Sequence, residues 1–220
     1  KGGKYHKSDY IEMLSLLYWF VRLAQTKGAM ALEPHIEKPA ESAAFQKFPK
    51  IAGDHHAVAL ICDYMRMVGM NADDPHQIED TMARELKKIK EEEMHPSHAM
   101  QSLADALPAL GIVAAVLGVI KTMASIDQPP AVLGKMIGGA LVGTFLGVLL
   151  AYGFMGPLAS RLKAVVEEDA KYMEVIRAVI VAHLHGNAPQ VAVETGRKVA
   201  PTHHMPSFQE LEEALQNLSI

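Results

Sequence analysis

MIGGALVGTFLGVLLAYGFMGPLAS, the stretch Met136–Ser160, contains no charged residue and decides the fold of this chain. A helix needs about 20 apolar residues to cross the hydrocarbon core of a bilayer, and this stretch is long enough by itself. We therefore predict a membrane-spanning helix over these residues.

A second apolar stretch, Ala106–Ile120, comes before the first and is also free of charge. It is shorter than the about 20 residues that a span needs, so a buried helix of a soluble protein is the alternative. The short segment 121–135 contains Pro129 and Pro130 and is suited to joining two antiparallel helices. We therefore predict two spans within 99–160, joined by the connection 121–135.

Basic residues predict the orientation. They lie outside both spans, at Arg84, Lys87, Lys88, Lys90, Arg161, Lys163, Lys171 and Arg177. The connection carries only Lys121 and Lys135. Because basic residues stay on the cytoplasmic side, segments 1–98 and 161–220 are expected in the cytoplasm and the connection on the opposite side of the membrane.

The segments outside the spans show helical patterns. We predict that Ser8 and Asp9 open a first helix that Gly28 closes in a left-handed conformation, and that Asp54 caps a helix running to Gly69. The other predicted helices cover Gln77 to about Met94, ending before Pro96, then Arg161–His185, and a final helix after a capping box at Ser207 and Glu210. No stretch alternates with the period of a strand, so the predicted class is all-α.

Small residues repeat at helical spacing within the spans, as Gly139, Gly143 and Gly147 do in the second one. Such a face lets helix backbones approach closely in lipid, so we predict tight helix packing there. Pro108 lies early in the first span and Pro157 late in the second. Antiparallel spans would place them at a similar depth, where each is either a static kink or a hinge.

Neither span has an ionisable residue near its middle. Proton and ion pathways across membranes normally use such a group. The chain therefore either moves no ions, or relies on a titrating group in another chain or in an upstream segment. Since the sequence begins with Lys1, we expect that sequence precedes it.

Several function classes are disfavoured. The net charge of −4 provides no basic surface for nucleic acid, and the single cysteine excludes an internal disulfide. The histidine pairs His95/His98, His183/His185 and His203/His204 have no cysteine pair beside them, so we predict no metal site and no cofactor. No catalytic motif is present, and we do not predict an enzyme.

Five motifs give the chain a family resemblance. They are LPALGIVAAVLGVI (Leu107–Ile120), GALVGTFLGVLLAYGFMGPLA (Gly139–Ala159), LEPHIEKP (Leu32–Pro39), AVETGRK (Ala192–Lys198) and PSFQELEE (Pro206–Glu213). In their order along the chain these motifs resemble those of the MotA family of flagellar motor stator subunits. LPALGIVAAVLGVI and GALVGTFLGVLLAYGFMGPLA match its third and fourth membrane helices. The resemblance implies two further membrane helices upstream. It also implies a homo-oligomer in the bilayer around a MotB-type partner, whose aspartate binds the transported proton.

The resemblance implies roles for residues in the spans. Pro108 and Pro157 match two prolines at the cytoplasmic end of the pore that couple protonation to movement. Thr144 matches a small polar position that lines the channel. Ala115 stands where sodium-driven relatives have threonine, which favours protons as the transported ion.

The resemblance also implies contact with a rotor switch-complex protein through Glu33, which matches an acidic contact residue of the family. The arginine that usually accompanies it is absent, because Gln25 occupies that position. Arg22 and Lys27 are the nearby basic residues and the candidates to replace it.

Two other functions stay open. Energy-transducing proton channels of the ExbB and TolQ type share the membrane-helix motif and the dependence on a partner acid, but they lack the loop motif at Leu32–Pro39 and the short C-terminal tail. A membrane scaffold without ion flux is the alternative outside transport.

Overall fold

The computed structural model describes residues 3–70 and 74–218, and over these residues it contains helices and turns but no strand. The α-helices are α1 Lys7–Lys27, α2 Glu33–Glu37, α3 Ala43–Gln46, α4 Pro49–Ala52, α5 His55–Gly69, α6 Pro75–Met123, α7 Pro130–Leu150, α8 Gly156–Leu184, α9 Pro189–Val199 and α10 Phe208–Gln216. The predicted all-α class is confirmed.

The chain divides into two compact units. One comprises residues 1–90 and 167–220, and the other residues 91–166. The bilayer boundaries along the helices, and with them the segments 1–98, 99–160 and 161–220, stay predictions.

The first unit is built around α1, which is buried on almost every side. Large side chains such as Tyr10, Phe20 and Tyr172 are fully enclosed there. The rings of Phe20 and Phe45 lie 5.5 Å apart between centroids, and those of Tyr5 and Tyr172 stack at 3.7 Å. α1 also packs against α9 and α10, so the unit has the large apolar core of a water-soluble domain.

The second unit is an antiparallel pair of helices joined by a short turn. α6 ends at Met123 and α7 begins at Pro130, so both helices run into the segment 121–135 predicted as the connection. Near the end of α6 the Thr122 hydroxyl donates to the Gly118 carbonyl at 2.9 Å. Pro130 occupies the first turn of α7, where its missing N–H costs no hydrogen bond.

Three predicted helix ends are confirmed. The Asp54 carboxylate accepts from the backbone N–H of Ala57 at the start of α5, which ends at Gly69. Ser207 and Glu210 form the predicted reciprocal capping box of α10.

Other predicted helix ends are wrong. Pro96 does not end a helix, because α6 continues through both Pro96 and Pro108 to Met123. The N-terminal cap position of α1 is His6 rather than Ser8, and the Asp9 carboxylate accepts from the His6 backbone N–H at 2.7 Å. Gly28 closes α1 with a φ of 84° but a ψ of 164°, an extended conformation almost restricted to glycine and not the left-handed helical one.

Candidate functional site

The candidate site is the helix pair within residues 91–166, where backbones approach closely. A Cβ atom added to Gly147 would lie 2.7 Å from the Leu107 carbonyl oxygen and 3.0 Å from the Cα of Gly111. One added to Gly143 would lie 2.9 Å from the Ala114 Cβ. A side chain at either position would therefore push the two backbones apart, as expected for helices that associate through small residues.

Gly139 differs from the other two glycines of the repeat. A Cβ atom added there would meet nothing within 4 Å. In its place Ala140 lies against Gly118, and Ala140 is buried. Gly139 therefore makes no close helix contact within the described part of this chain, and its predicted packing role needs a different partner.

The contacts define an antiparallel register. Nearest the turn Gly118 lies against Ala140, and further along Gly111 lies against Gly147. At the far end the Ser97 hydroxyl donates to the Ala159 carbonyl at 3.0 Å.

This register separates the two predicted hinge prolines, which the sequence led us to expect at a similar depth. Pro108 lies level with the end of α7, whereas Pro157 lies level with a residue close to Ser97. At 1.5 Å per residue they are about two helical turns, or roughly 12 Å, apart along the pair. Pro108 is half-buried and Pro157 is exposed.

A π-helical segment, Ala151–Met155, precedes Pro157 and was not predicted. The Gly156 N–H donates to the Ala151 carbonyl, five residues back. Single π turns inside α-helices often mark functional sites and bends. The sequence signal is Pro157 with Gly156 directly before it and Gly153 four residues before it. Glycine permits the wider turn, and Pro157 has no N–H to donate to the Gly153 carbonyl.

The predicted channel residues lie beside this contact. The Thr144 hydroxyl points to the Gly111 carbonyl at 3.4 Å, a long hydrogen bond, and Thr144 is half-buried. Ala115 is half-buried on the facing helix. Whether either residue lines a channel stays a prediction.

Large apolar side chains cover the outside of the pair. They include Leu110 (60% exposed), Leu117 (61%), Leu141 (60%), Phe145 (63%), Tyr152 (70%) and Phe154 (61%). Two helices, Pro75–Met123 and Pro130–Leu184, are long and apolar enough to cross a membrane, and only 11% and 17% of their apolar windows are buried within the chain. A core helix of a soluble protein would be mostly buried, so these surfaces fit lipid or other membrane helices.

The predicted rotor-contact residues lie in the other unit. Glu33 begins α2, and Arg22 and Lys27 lie in the second half of α1; all three are exposed. No ion pair of these side chains occurs among the described residues. The Gln25 side chain is hydrogen-bonded within the chain, because its amide donates to the Asn187 carbonyl at 3.1 Å.

Asp54 anchors the start of the chain in the same unit. Its carboxylate accepts from the Lys4 ammonium at 2.7 Å and the Tyr5 hydroxyl at 2.5 Å. Burial would raise the pKa of Asp54, but these hydrogen bonds outweigh it and hold the pKa below its ordinary value. Asp54 therefore stays ionised and joins the N-terminal segment to α5.

Two groups of histidine and glutamate come together that the sequence spacing did not reveal. His203 and His204 meet Glu168, and His76 and His185 meet Glu79. Hydrogen bonds from His203 and then His204 lower the pKa of Glu168 below its ordinary value. No local motif predicts either group, since each one combines residues from two distant segments of the sequence.

Comparisons with known proteins agree with these observations. The family model described as the MotA/TolQ/ExbB proton channel family matches residues 52–175. Motility protein A of Salmonella typhimurium is 42% identical over 213 residues, 97% of this chain and 72% of that protein. Chemotaxis protein LafT of Vibrio parahaemolyticus is 34% identical over 98% of this chain and 75% of its own length.

Two solved structures share the fold. The structure of C. jejuni MotAB matches with a TM-score of 0.71 at 20% identity, covering 94% of this chain and 73% of the other. The flagellar MotAB stator complex from Bacillus subtilis matches with a TM-score of 0.66 at 23% identity, covering 92% and 70%. Identities this low establish the fold alone, which is that of an all-α membrane protein.

Proposed function

The chain belongs to the MotA/TolQ/ExbB proton channel family, and we propose that it couples proton flow across the bacterial inner membrane to torque on the flagellar rotor. Within the family it is a flagellar stator subunit. The observation that carries this conclusion is the 42% identity to a motility protein over 97% of the chain.

The proton-binding group is expected on a second protein. Residues 106–120 and 136–160 contain no ionisable side chain, although a proton pathway normally needs one at membrane depth. The two solved structures that share the fold are named for MotAB, one of them as a stator complex, which supports a MotB-type partner. Its aspartate would bind the proton, while this chain supplies the helices that surround the partner and respond.

The movement that follows proton binding would pass through the paired helices. Neutralising one carboxylate is a local change, and it produces movement only if it biases an element with two arrangements. Pro108 and the π turn before Pro157 are two weakened points in helices that continue beyond the predicted membrane. Since they lie about two turns apart, we propose that they act at two levels of the pair, not as one hinge.

The outer surface supports assembly in the bilayer. Exposed large side chains such as Leu117 and Phe145 suit lipid or neighbouring subunits, and Gly139 is open to a close approach from another helix. We propose that copies of this chain form a ring in the inner membrane, with residues 1–98 and 161–220 in the cytoplasm.

The rotor contact would lie on the exposed surface near Glu33. Charges at a polar surface contribute mainly to steering and orientation between partners. Glu33, Arg22 and Lys27 are exposed and have no ion-pair partner among the described residues, so they are available to charged groups on a rotor switch-complex protein.

An ExbB- or TolQ-type role in the envelope is not favoured, because the likeness over almost the whole chain is to proteins named for motility and chemotaxis. Complementation distinguishes the two. Expression of the full-length subunit with its partner should restore swimming to a strain that lacks its stator, and failure at normal membrane abundance would contradict the proposal.

Proton flux in liposomes tests the need for a partner. The complex should conduct protons when activated, whereas the subunit alone should not. Flux from the subunit without its partner would show that this chain holds the proton-binding group itself.

A further inference from the structure

We propose that Glu168, His203 and His204 form a binding site for a divalent transition-metal ion of the Zn²⁺ class. The site lies in the unit of residues 1–90 and 167–220, and it is separate from the paired membrane helices.

The three side chains converge on one point. The Nε2 atoms of His203 and His204 each lie 2.9 Å from the same oxygen, Oε1 of Glu168. All three ligand atoms lie within 4.8 Å of one another. Zinc bonds of about 2.0–2.2 Å in tetrahedral geometry place neighbouring ligand atoms roughly 3.4 Å apart, so small side-chain shifts would admit an ion.

The backbone positions both halves of the site. Pro201 begins a tight turn in which its carbonyl accepts from the N–H groups of His204 at 2.9 Å and Met205 at 2.8 Å. On the other side Glu168 is held against Gly3, where a Cβ atom would lie 2.5 Å from Glu168 Oε2. The adjacent Asp169 accepts from the Lys4 N–H at 2.8 Å, which fixes the N-terminal segment beside the carboxylate.

A second observation points to a ligand. The Tyr10 hydroxyl is buried and has no hydrogen-bond partner among the described residues. Its ring stacks against that of His204, with centroids 6.3 Å apart. A buried hydroxyl without a partner, on a ring that stacks against one of the two imidazoles, suits a partner such as a water bound to the metal ion.

The ligand types select the ion. Two imidazoles and one carboxylate suit Zn²⁺, Cu²⁺ or Ni²⁺, whereas Ca²⁺ and Mg²⁺ prefer oxygen ligands alone. The His203 side chain is 66% exposed while those of Glu168 and His204 are 18% and 19% exposed, so one side of the site opens to solvent. Three protein ligands and an open position are typical of accessible zinc sites.

The similar group at Glu79 is a poor cation site. There Arg177 lies 3.6 Å from the Glu79 carboxylate, on the same residue that His185 approaches at 3.6 Å and His76 at 4.0 Å. The guanidinium already supplies a positive charge and would repel an ion. This group therefore serves as a matched control.

Zinc titration of the complete stator complex tests the proposal. The complex, with any histidine tag removed and treated with chelator, should bind one Zn²⁺ per subunit by calorimetry. His204→Gln and Glu168→Gln should each lower the affinity by on the order of 100-fold or more, since losing even an outer partner of a ligand costs about 10–100-fold. Tyr10→Phe should lower it by about tenfold.

Two controls keep the test decisive. His203→Gln changes an exposed side chain, so it should also remove zinc binding while the unfolding temperature in chelator stays that of the wild type. The double variant His76→Gln/His185→Gln should bind zinc as the wild type does. The proposal is overturned if the wild-type complex binds no zinc, if binding survives His203→Gln and Glu168→Gln, or if the control variant loses it.

Discussion

The two units of this chain bury opposite kinds of residue. In the unit around α1 the enclosed side chains are large, among them Tyr10, Phe20 and Tyr172. In the paired helices of residues 91–166 the buried residues are mostly small, such as Ala104, Ala140 and Ala151, while residues as large as Phe145 face outward.

The difference reflects the solvent of each unit. Water drives large apolar side chains together, so the first unit gains stability from apolar area removed from water. Lipid gives no such drive, and helices in it associate through close backbone contact between small residues. Large apolar residues should therefore stabilise the first unit by being buried, whereas small residues should stabilise the paired helices by allowing close backbone contact.

Equivalent truncations of phenylalanine should give the largest contrast. Phe20→Ala removes a fully buried ring and should destabilise the first unit by about 3–5 kcal/mol. Phe145→Ala, at a side chain that is 63% exposed, should change stability by less than about 0.5 kcal/mol. Thermal unfolding of the purified complexes measures both, and equal effects would end the distinction between the units.

In the paired helices, adding a methyl group at a close glycine contact should destabilise the structure more than truncating an exposed phenylalanine does. Gly147→Ala would place a Cβ against the backbone of Leu107 and Gly111, so we expect a cost of about 1–3 kcal/mol and reduced membrane abundance. Gly139→Ala meets open space within the described part of the chain, so it should not loosen the helix pair, and any loss of stability should come from contacts between subunits. If Gly139→Ala is the more harmful variant, this glycine packs against another chain more tightly than the pair packs within itself.

A pH dependence of stability should appear in the first unit, through Asp54. Asp54→Asn keeps an oxygen to cap α5 but loses the ion pair with Lys4, for an expected cost of about 1–2 kcal/mol at neutral pH. Because the folded pKa of Asp54 is lowered, its contribution is complete above the ordinary pKa of 3.8 and disappears as the pH falls through the lower folded value. Unfolding temperatures of the two proteins should converge in that acidic range, and a constant difference would contradict the ion-pair explanation.

The smallest effect on stability is expected at Glu33. Its side chain is exposed, so Glu33→Lys should leave unfolding and membrane abundance unchanged while swimming falls. Glu212→Lys, which reverses an exposed charge on α10, should leave both unchanged. Wild-type swimming of Glu33→Lys would remove this residue from the rotor contact.

Much of the fold could be predicted from sequence because the deciding signals are local. The uncharged run at Met136–Ser160 identified a membrane helix, and the capping residues Asp54 and Ser207 placed helix starts correctly. Pro96 misled the prediction, since a proline weakens a helix but the surrounding residues can keep it continuous.

The candidate sites were harder to predict because they depend on pairing between distant segments. The register of the helix pair, which separates Pro108 from Pro157, follows from contacts such as Gly111 with Gly147 and is not written in either helix alone. The approach of His203 and His204 to Glu168 likewise needs the tertiary fold.

Single-motor torque, measured together with membrane abundance, tests the proposed coupling most directly. Pro108→Ala and Pro157→Ala should assemble at normal abundance yet generate little or no torque, with Pro108 the more sensitive. Pro96→Ala is the matched control, because this exposed proline lies in the same helix outside the predicted spans and should leave torque unchanged. Normal torque in both Pro108→Ala and Pro157→Ala would contradict the account.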